Sequence, residues 1–174
     1  VLIGTLMVAL DTTIVNIALP RIRDDLGVGA GIEWVVTAYL LAVAASQPAM
    51  GWLADRFGRR RIFLLSLTWF TVASFLAALS PNLATLVALR VLQGFGGGAL
   101  TPVGMAIVVE LFPAARRGRA MSLWGIASMA APAVGPTLGG WLVTAVSWHW
   151  LFLINVPMGA GGLVLGLRLL PDSG

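Results

Sequence analysis

Residues 84–109 read ATLVALRVLQGFGGGALTPVGMAIVV, a run of 26 positions with one ionisable side chain, Arg90. About 20 mostly apolar residues suffice for a helix to cross a bilayer, so this run is long enough to span one. Applied along the chain, the same measure predicts six spans, at about 1–19, 32–53, 62–80, 84–109, 120–143 and 151–170. None of them alternates in polarity over the roughly ten residues of a barrel strand. The expected fold is therefore all-α: a polytopic membrane protein with six transmembrane helices in one domain over residues 1–174, without a soluble domain, linker or low-complexity tract.

Composition supports that reading. Of the 174 residues 59% are hydrophobic and 10% charged, against roughly 25% charged in an ordinary soluble domain. Eleven basic and seven acidic side chains cannot clothe a water-facing globule of this size, so the apolar surplus must face lipid. With no cysteine and a single histidine, His149, the chain offers neither a disulfide framework nor a thiol nucleophile. It also offers little for a metal site. No cofactor or metal is expected, and no nucleophile, base and metal come together to suggest an enzyme.

All eleven basic residues are arginine, giving a net charge of +4. They cluster in turns between apolar runs, a topology signal rather than a nucleic-acid footprint. The turn after the second span holds Arg56, Arg59, Arg60 and Arg61, and that after the fourth holds Arg116, Arg117 and Arg119. The turns at 80–82 and 147–150 hold none, and the first loop holds Arg21 and Arg23. Arginine-rich turns face the cytoplasm, so both ends of the segment are expected there, with Trp148 and Trp150 at the outer interface. The first run has neither an initiator Met nor a basic flank, and both ends read as cut from a longer chain.

Two charges lie where a lipid-facing helix would not place them. A carboxyl inside a span costs about 2.5–3.5 kcal/mol on insertion scales and is expected to face protein or a water path. Asp11 stands about eight residues from the outer end of the first span, roughly 12 Å of helix rise, and Arg90 about six residues, roughly 9 Å, from that of the fourth. Their similar depth suggests an ion pair, direct or through water. In the fourth span Arg90, Gln93, Gly94, Gly97, Gly98, Thr101 and Gly104 share one sector of the helical wheel. Small residues there allow close helix packing, which does not account for Arg90 and Gln93. Ser128, Ala131, Pro132, Gly135 and Gly139 form a second small stripe, where Pro132 and Pro136 favour a kink. In GWLADRFGRRR, residues 51–61, Gly51 and Gly58 permit a tight reversal, and Asp55 among four arginines suggests an ion pair. Glu110 near Arg116, and Glu33 opposite Arg21 or Arg23, read as interfacial charges.

Four segments together resemble the amino-terminal half of a major facilitator superfamily transporter of the 14-span drug:proton antiporter (EmrB/QacA-like) branch. GWLADRFGRRR resembles the loop signature between helices 2 and 3, with Gly51, Asp55, Arg56, Gly58, Arg59 and Arg60 on its key positions. RVLQGFGGGALTP, residues 90–102, resembles the helix 4 motif through Arg90, Gln93 and Gly94. AAPAVGPTLGGWL, residues 130–142, resembles the antiporter motif of helix 5 through Gly135, Pro136, Gly139 and Gly140. LDTTIVNIALP at 10–20, with Asp11, Asn16 and Pro20, and WHWLFLINVPMG at 148–159 are similar to patterns of the 14-span branch. The sequence departs from those patterns at Ala131, where glycine is usual, and at Arg61, where lysine is frequent.

The resemblance implies roles. Asp55, Arg56 and Arg59 become candidates for a conformational switch against a second six-helix half. Asp11 becomes a candidate proton acceptor tuned by Arg90, and Gly135 and Pro136 a hinge and seal in helix 5. The implied function is proton-coupled efflux of hydrophobic or cationic small molecules across the cell membrane. Its partners would be substrate, protons, the bilayer and a missing C-terminal half, with Asp11 leaning toward cationic cargo. An exporter of one dedicated metabolite (a sugar, siderophore or antibiotic) and a non-transporting channel or scaffold remain as alternatives.

Overall fold

The computed structural model describes residues 1–171. It contains seven helices over these residues: α1 (Leu2–Leu26), α2 (Trp34–Phe57), α3 (Arg59–Ala78), α4 (Leu83–Leu111), α5 (Ala114–Ala145), α6 (His149–Leu153) and α7 (Asn155–Leu169). The last two together make one membrane-length element, so six elements are long and apolar enough to cross a bilayer. The fold is all-helical, as expected.

The reversals follow from local chemistry. Asn82 starts α4 by accepting a 2.9 Å hydrogen bond from the Thr85 amide, satisfying one of the donors that a helix start leaves open. One residue, Gly58, separates α2 from α3, at φ 94° and ψ 129°, a conformation favourable essentially only to glycine. Gly51 takes no part in that reversal, contrary to its sequence reading; it lies inside α2, with no atom within 4 Å of where a Cβ would sit.

Three spans depart from their apolar runs, α5 opening at Ala114 rather than about residue 120. The first helix runs past residue 19 to Leu26, because Arg21 pairs with Asp25 one turn on at 3.3 Å and Gly27 closes the helix at φ 65°. Arg23 pairs with Asp24 at 3.4 Å. The sixth span is broken at Ile154 rather than continuous over 151–170. Pro157 has no N–H for the Leu153 carbonyl one turn back, which weakens the helix at that point.

Helix α4 stands at the centre, packed mainly on α2 and α3, while α1 packs on α5. One apolar cluster joins Ile14, Ala18, Val35, Leu86, Trp148 and Phe152. Another, nearer the arginine-rich turns, joins Met7, Tyr39, Phe63, Phe70, Leu100 and Val103. Trp148 is thus a core residue, and only Trp150 of the two is exposed; stacking of His149 on Trp148 at 3.9 Å helps cover it. The outward surface is itself apolar, Ile126 and Met129 being 66% and 76% exposed, as for helices whose solvent is lipid or further protein.

Candidate functional site

The two in-membrane charges meet between the apolar clusters. Asp11 follows Met7 by one turn of α1, and Arg90 follows Leu86 by one turn of α4, so each element carries its charge to the boundary between the cores. Arg90 Nη1 donates to Asp11 Oδ2 at 2.6 Å and to Gln93 Oε1 at 2.7 Å. Gln93 Nε2 donates to Asp11 Oδ1 at 3.1 Å. Arg90 Nε is satisfied by the Val35 carbonyl at 3.0 Å, and its guanidinium carbon lies 3.9 Å from the centre of the Tyr39 ring. Asp11, Arg90 and Gln93 are all fully buried.

Desolvating both charges is costly, and such a pair is tolerated only when good geometry and added hydrogen bonds compensate. Here they do so for both carboxylate oxygens, while Arg90 Nη2 is left without a partner. Burial of a paired carboxylate in a helix bundle adds little net stability.

Sequence reasoning missed three members of the cluster. Asn155 Nδ2 donates to Asp11 Oδ1 at 3.2 Å and to Ser74 Oγ at 3.0 Å, and Ser74 Oγ donates to the Phe152 carbonyl at 2.9 Å. The third is Tyr39. The available signal was an asparagine inside an apolar run, two residues before Pro157.

The second candidate cluster lies at the arginine-rich turns. Arg59 bridges Asp55 at 3.2 Å and Glu110 at 3.5 Å, tying the α2–α3 turn to the end of α4. Glu110 therefore pairs with Arg59 and not with Arg116. Arg56 stays apart, its guanidinium over the Trp52 and Phe57 rings at 5.3 and 5.7 Å. Arg60 Nη2 donates to the Leu167 carbonyl of α7 at 2.9 Å. Arg117 Nε reaches the Val109 and Phe112 carbonyls, each at 3.0 Å, at the end of α4.

The glycines divide by use. A Cβ on Gly94 would meet Ala42 Cβ and the Tyr39 carbonyl, both at 2.7 Å, and one on Gly98 would overlap Ser46 Oγ, so both are required by the α2–α4 contact. A Cβ on Gly135 would lie 2.6 Å from Thr13 Cγ2, and one on Gly139 3.2 Å from Ile14 Cα, which fixes these two on the α1–α5 seam. Gly140 meets nothing and Pro136 is exposed, so half of the helix 5 motif faces away from this domain. Helix α5 stays continuous through Pro132 and Pro136. No group of acidic or histidine side chains among the described residues could hold a metal ion.

Comparison with known proteins places this architecture. The Multidrug resistance protein B homolog of Mycobacterium tuberculosis (strain ATCC 25618 / H37Rv) is 44% identical over 170 residues, which is 97% of this chain and 32% of that protein. The Putative multidrug resistance protein MdtD of Serratia proteamaculans (strain 568) is also 44% identical, over 97% of this chain and 36% of its own length. The chain thus spans about a third of the relatives it matches. A crystal structure of a D-xylose-proton symporter superposes with a TM-score of 0.84 at 17% identity, over 99% of this chain and 47% of that one. The human organic anion transporter MFSD10 does so with a TM-score of 0.77 at 20% identity, over 98% and 46%. These two share the fold. The profile of the Major Facilitator Superfamily matches residues 1–174, and the chain belongs to that superfamily.

Proposed function

We propose that these six helices are the N-terminal half of a cell-membrane secondary transporter of the 14-span type. It would export hydrophobic or cationic small molecules in exchange for protons, with both ends of the segment in the cytoplasm. The observation that carries this reading is the fully buried Asp11–Arg90 pair at 2.6 Å. An intramembrane carboxylate paired with a permanent cation is the kind of group that proton-driven carriers load and unload. A pair made in one conformation and parted in another would let conformation govern when the carboxyl exchanges its proton. The names of the 44%-identical relatives support drug export.

Asp11 acts as the proton site without touching cargo in this conformation, because Arg90, Gln93 and Asn155 cover it. Cargo would bind near the bilayer midplane between two such halves, the second supplied by the rest of the transporter. The Asp55–Arg59–Glu110 cluster, with Arg56 and Arg60, would hold one conformation closed at the cytoplasmic end. Gly135, Pro136, Gly139 and Gly140 would let α5 bend without a proton leak. The test is drug efflux from inverted vesicles carrying the full-length protein, with Asp11→Asn inserted to the same level. Loss of gradient-driven efflux supports the reading. Undiminished efflux moves coupling elsewhere, and no drug efflux from wild type favours a dedicated exporter.

A further inference from the structure

The direction of each hydrogen bond around Asp11 determines what can happen when it takes up a proton. Its Oδ2 faces Arg90 Nη1, and its Oδ1 faces the amide nitrogens of Gln93 and Asn155. All three are donors, so none of them can accept a proton placed on this carboxyl unless it reorients; the other titratable group facing the pair is Tyr39, whose ring lies 3.9 Å from the Arg90 guanidinium carbon. Arginine carries no acceptor at all. Gln93 is pinned, because its Oε1 already accepts from Arg90 Nη1 at 2.7 Å and inverting its amide would turn NH₂ against a guanidinium donor. Asn155 is not pinned in this way. The other partner of its amide nitrogen is Ser74 Oγ, at 3.0 Å, and a hydroxyl serves equally as donor or acceptor.

We propose that Asn155 is the positioning residue that converts protonation of Asp11 into movement of the sixth span, with Ser74 as the relay. This rests on Asp11 being the coupling carboxylate. On proton uptake the Asn155 amide inverts and its Oδ1 accepts the Asp11 O–H. Ser74 Oγ then loses the N–H it accepted and turns its own O–H from the Phe152 carbonyl toward Asn155. Loss of the proton reverses each step.

The released carbonyl lies where movement is cheapest. Phe152 is next to the last residue of α6, Asn155 opens α7, and only Ile154 separates the two helices. Pro157 already weakens the hydrogen-bond ladder there, so the 2.9 Å bond from Ser74 is a tie from α3 to the break itself. The Phe152 ring also faces the Arg90 guanidinium at 5.7 Å, so the same segment feels any displacement of the ion pair.

The experiment is pH-difference infrared spectroscopy of the full-length transporter in proteoliposomes, with asparagine side chains labelled with ¹⁵N, alongside gradient-driven drug efflux. A protonated-carboxyl band lost in Asp11→Asn reports the Asp11 titration. The expected result is an asparagine amide band that shifts with the same pH midpoint and is absent from Asn155→Leu. In Ser74→Ala, Asp11 keeps all its partners, so its midpoint should hold within about a factor of two in proton concentration while coupled efflux falls about tenfold. An asparagine band silent through the Asp11 titration overturns the inference, as does wild-type efflux in Ser74→Ala, and both leave the proton-antiport reading intact. Absence of any carboxyl band lost in Asp11→Asn overturns both.

Discussion

The same chemistry, an arginine between an acid and a second partner, occurs twice in this domain in opposite surroundings. Around Arg90 both charges are fully buried and 2.6 Å apart. Around Arg59 the distances are 3.2 and 3.5 Å, and the acids' side chains are 69% and 57% exposed. Water screens the second cluster and is excluded from the first, so the two should differ severalfold in energy, and salt should weaken the second far more than the first. A buried pair suits a device in which one proton must matter. An exposed pair suits a latch that opens and closes at little cost.

The largest effect that would break this comparison is in the buried pair. Arg90→Met leaves a desolvated carboxylate without its cation and should destabilise the domain by about 3–5 kcal/mol, read as thermal unfolding in detergent. Adding Asp11→Asn should restore much of that loss; no restoration would mean that the two residues are not energetically coupled. Next come the seams. Gly98→Val forces atoms onto Ser46 and the Val43 carbonyl and should cost about 1–3 kcal/mol or more, whereas Gly140→Ala meets nothing here and should leave stability unchanged. Lost efflux in Gly140→Ala at unchanged stability would show that this glycine faces the rest of the transporter. Gly58→Ala imposes a side chain at φ 94° and should cost about 1–3 kcal/mol. Smallest of the destabilising changes, Glu110→Gln should change stability by at most about 1 kcal/mol, and less at high salt. A larger or salt-independent change would mean that the Arg59 cluster is less solvated than its exposure indicates.

What could be read from the sequence followed the physics of the bilayer. Six apolar runs, none alternating in polarity as a barrel strand does, give six helical spans because lipid leaves the backbone only helices or closed barrels. Asp11 and Arg90 stood out because charge is rare in such runs, and matched depth sufficed to suggest the pair. The rest depended on which helices touch, which one chain does not display. Asn155 looks like an ordinary polar residue in WHWLFLINVPMG until Pro157 breaks the span and α6 and α7 bring it to Asp11. Glu110 read as an interfacial charge near Arg116, but folding brings Arg59, 51 residues away, to it. Gly51 and Gly58 look alike in GWLADRFGRRR, yet only Gly58 has the positive φ of a reversal.

The central claim, that Asp11 carries the coupled proton, is tested most directly by counting protons. Full-length transporter reconstituted with a trapped pH indicator should take up protons when a drug gradient is imposed, and Asp11→Asn, inserted to the same level, should still let drug equilibrate without moving protons. Proton movement of wild-type size in Asp11→Asn would contradict the account.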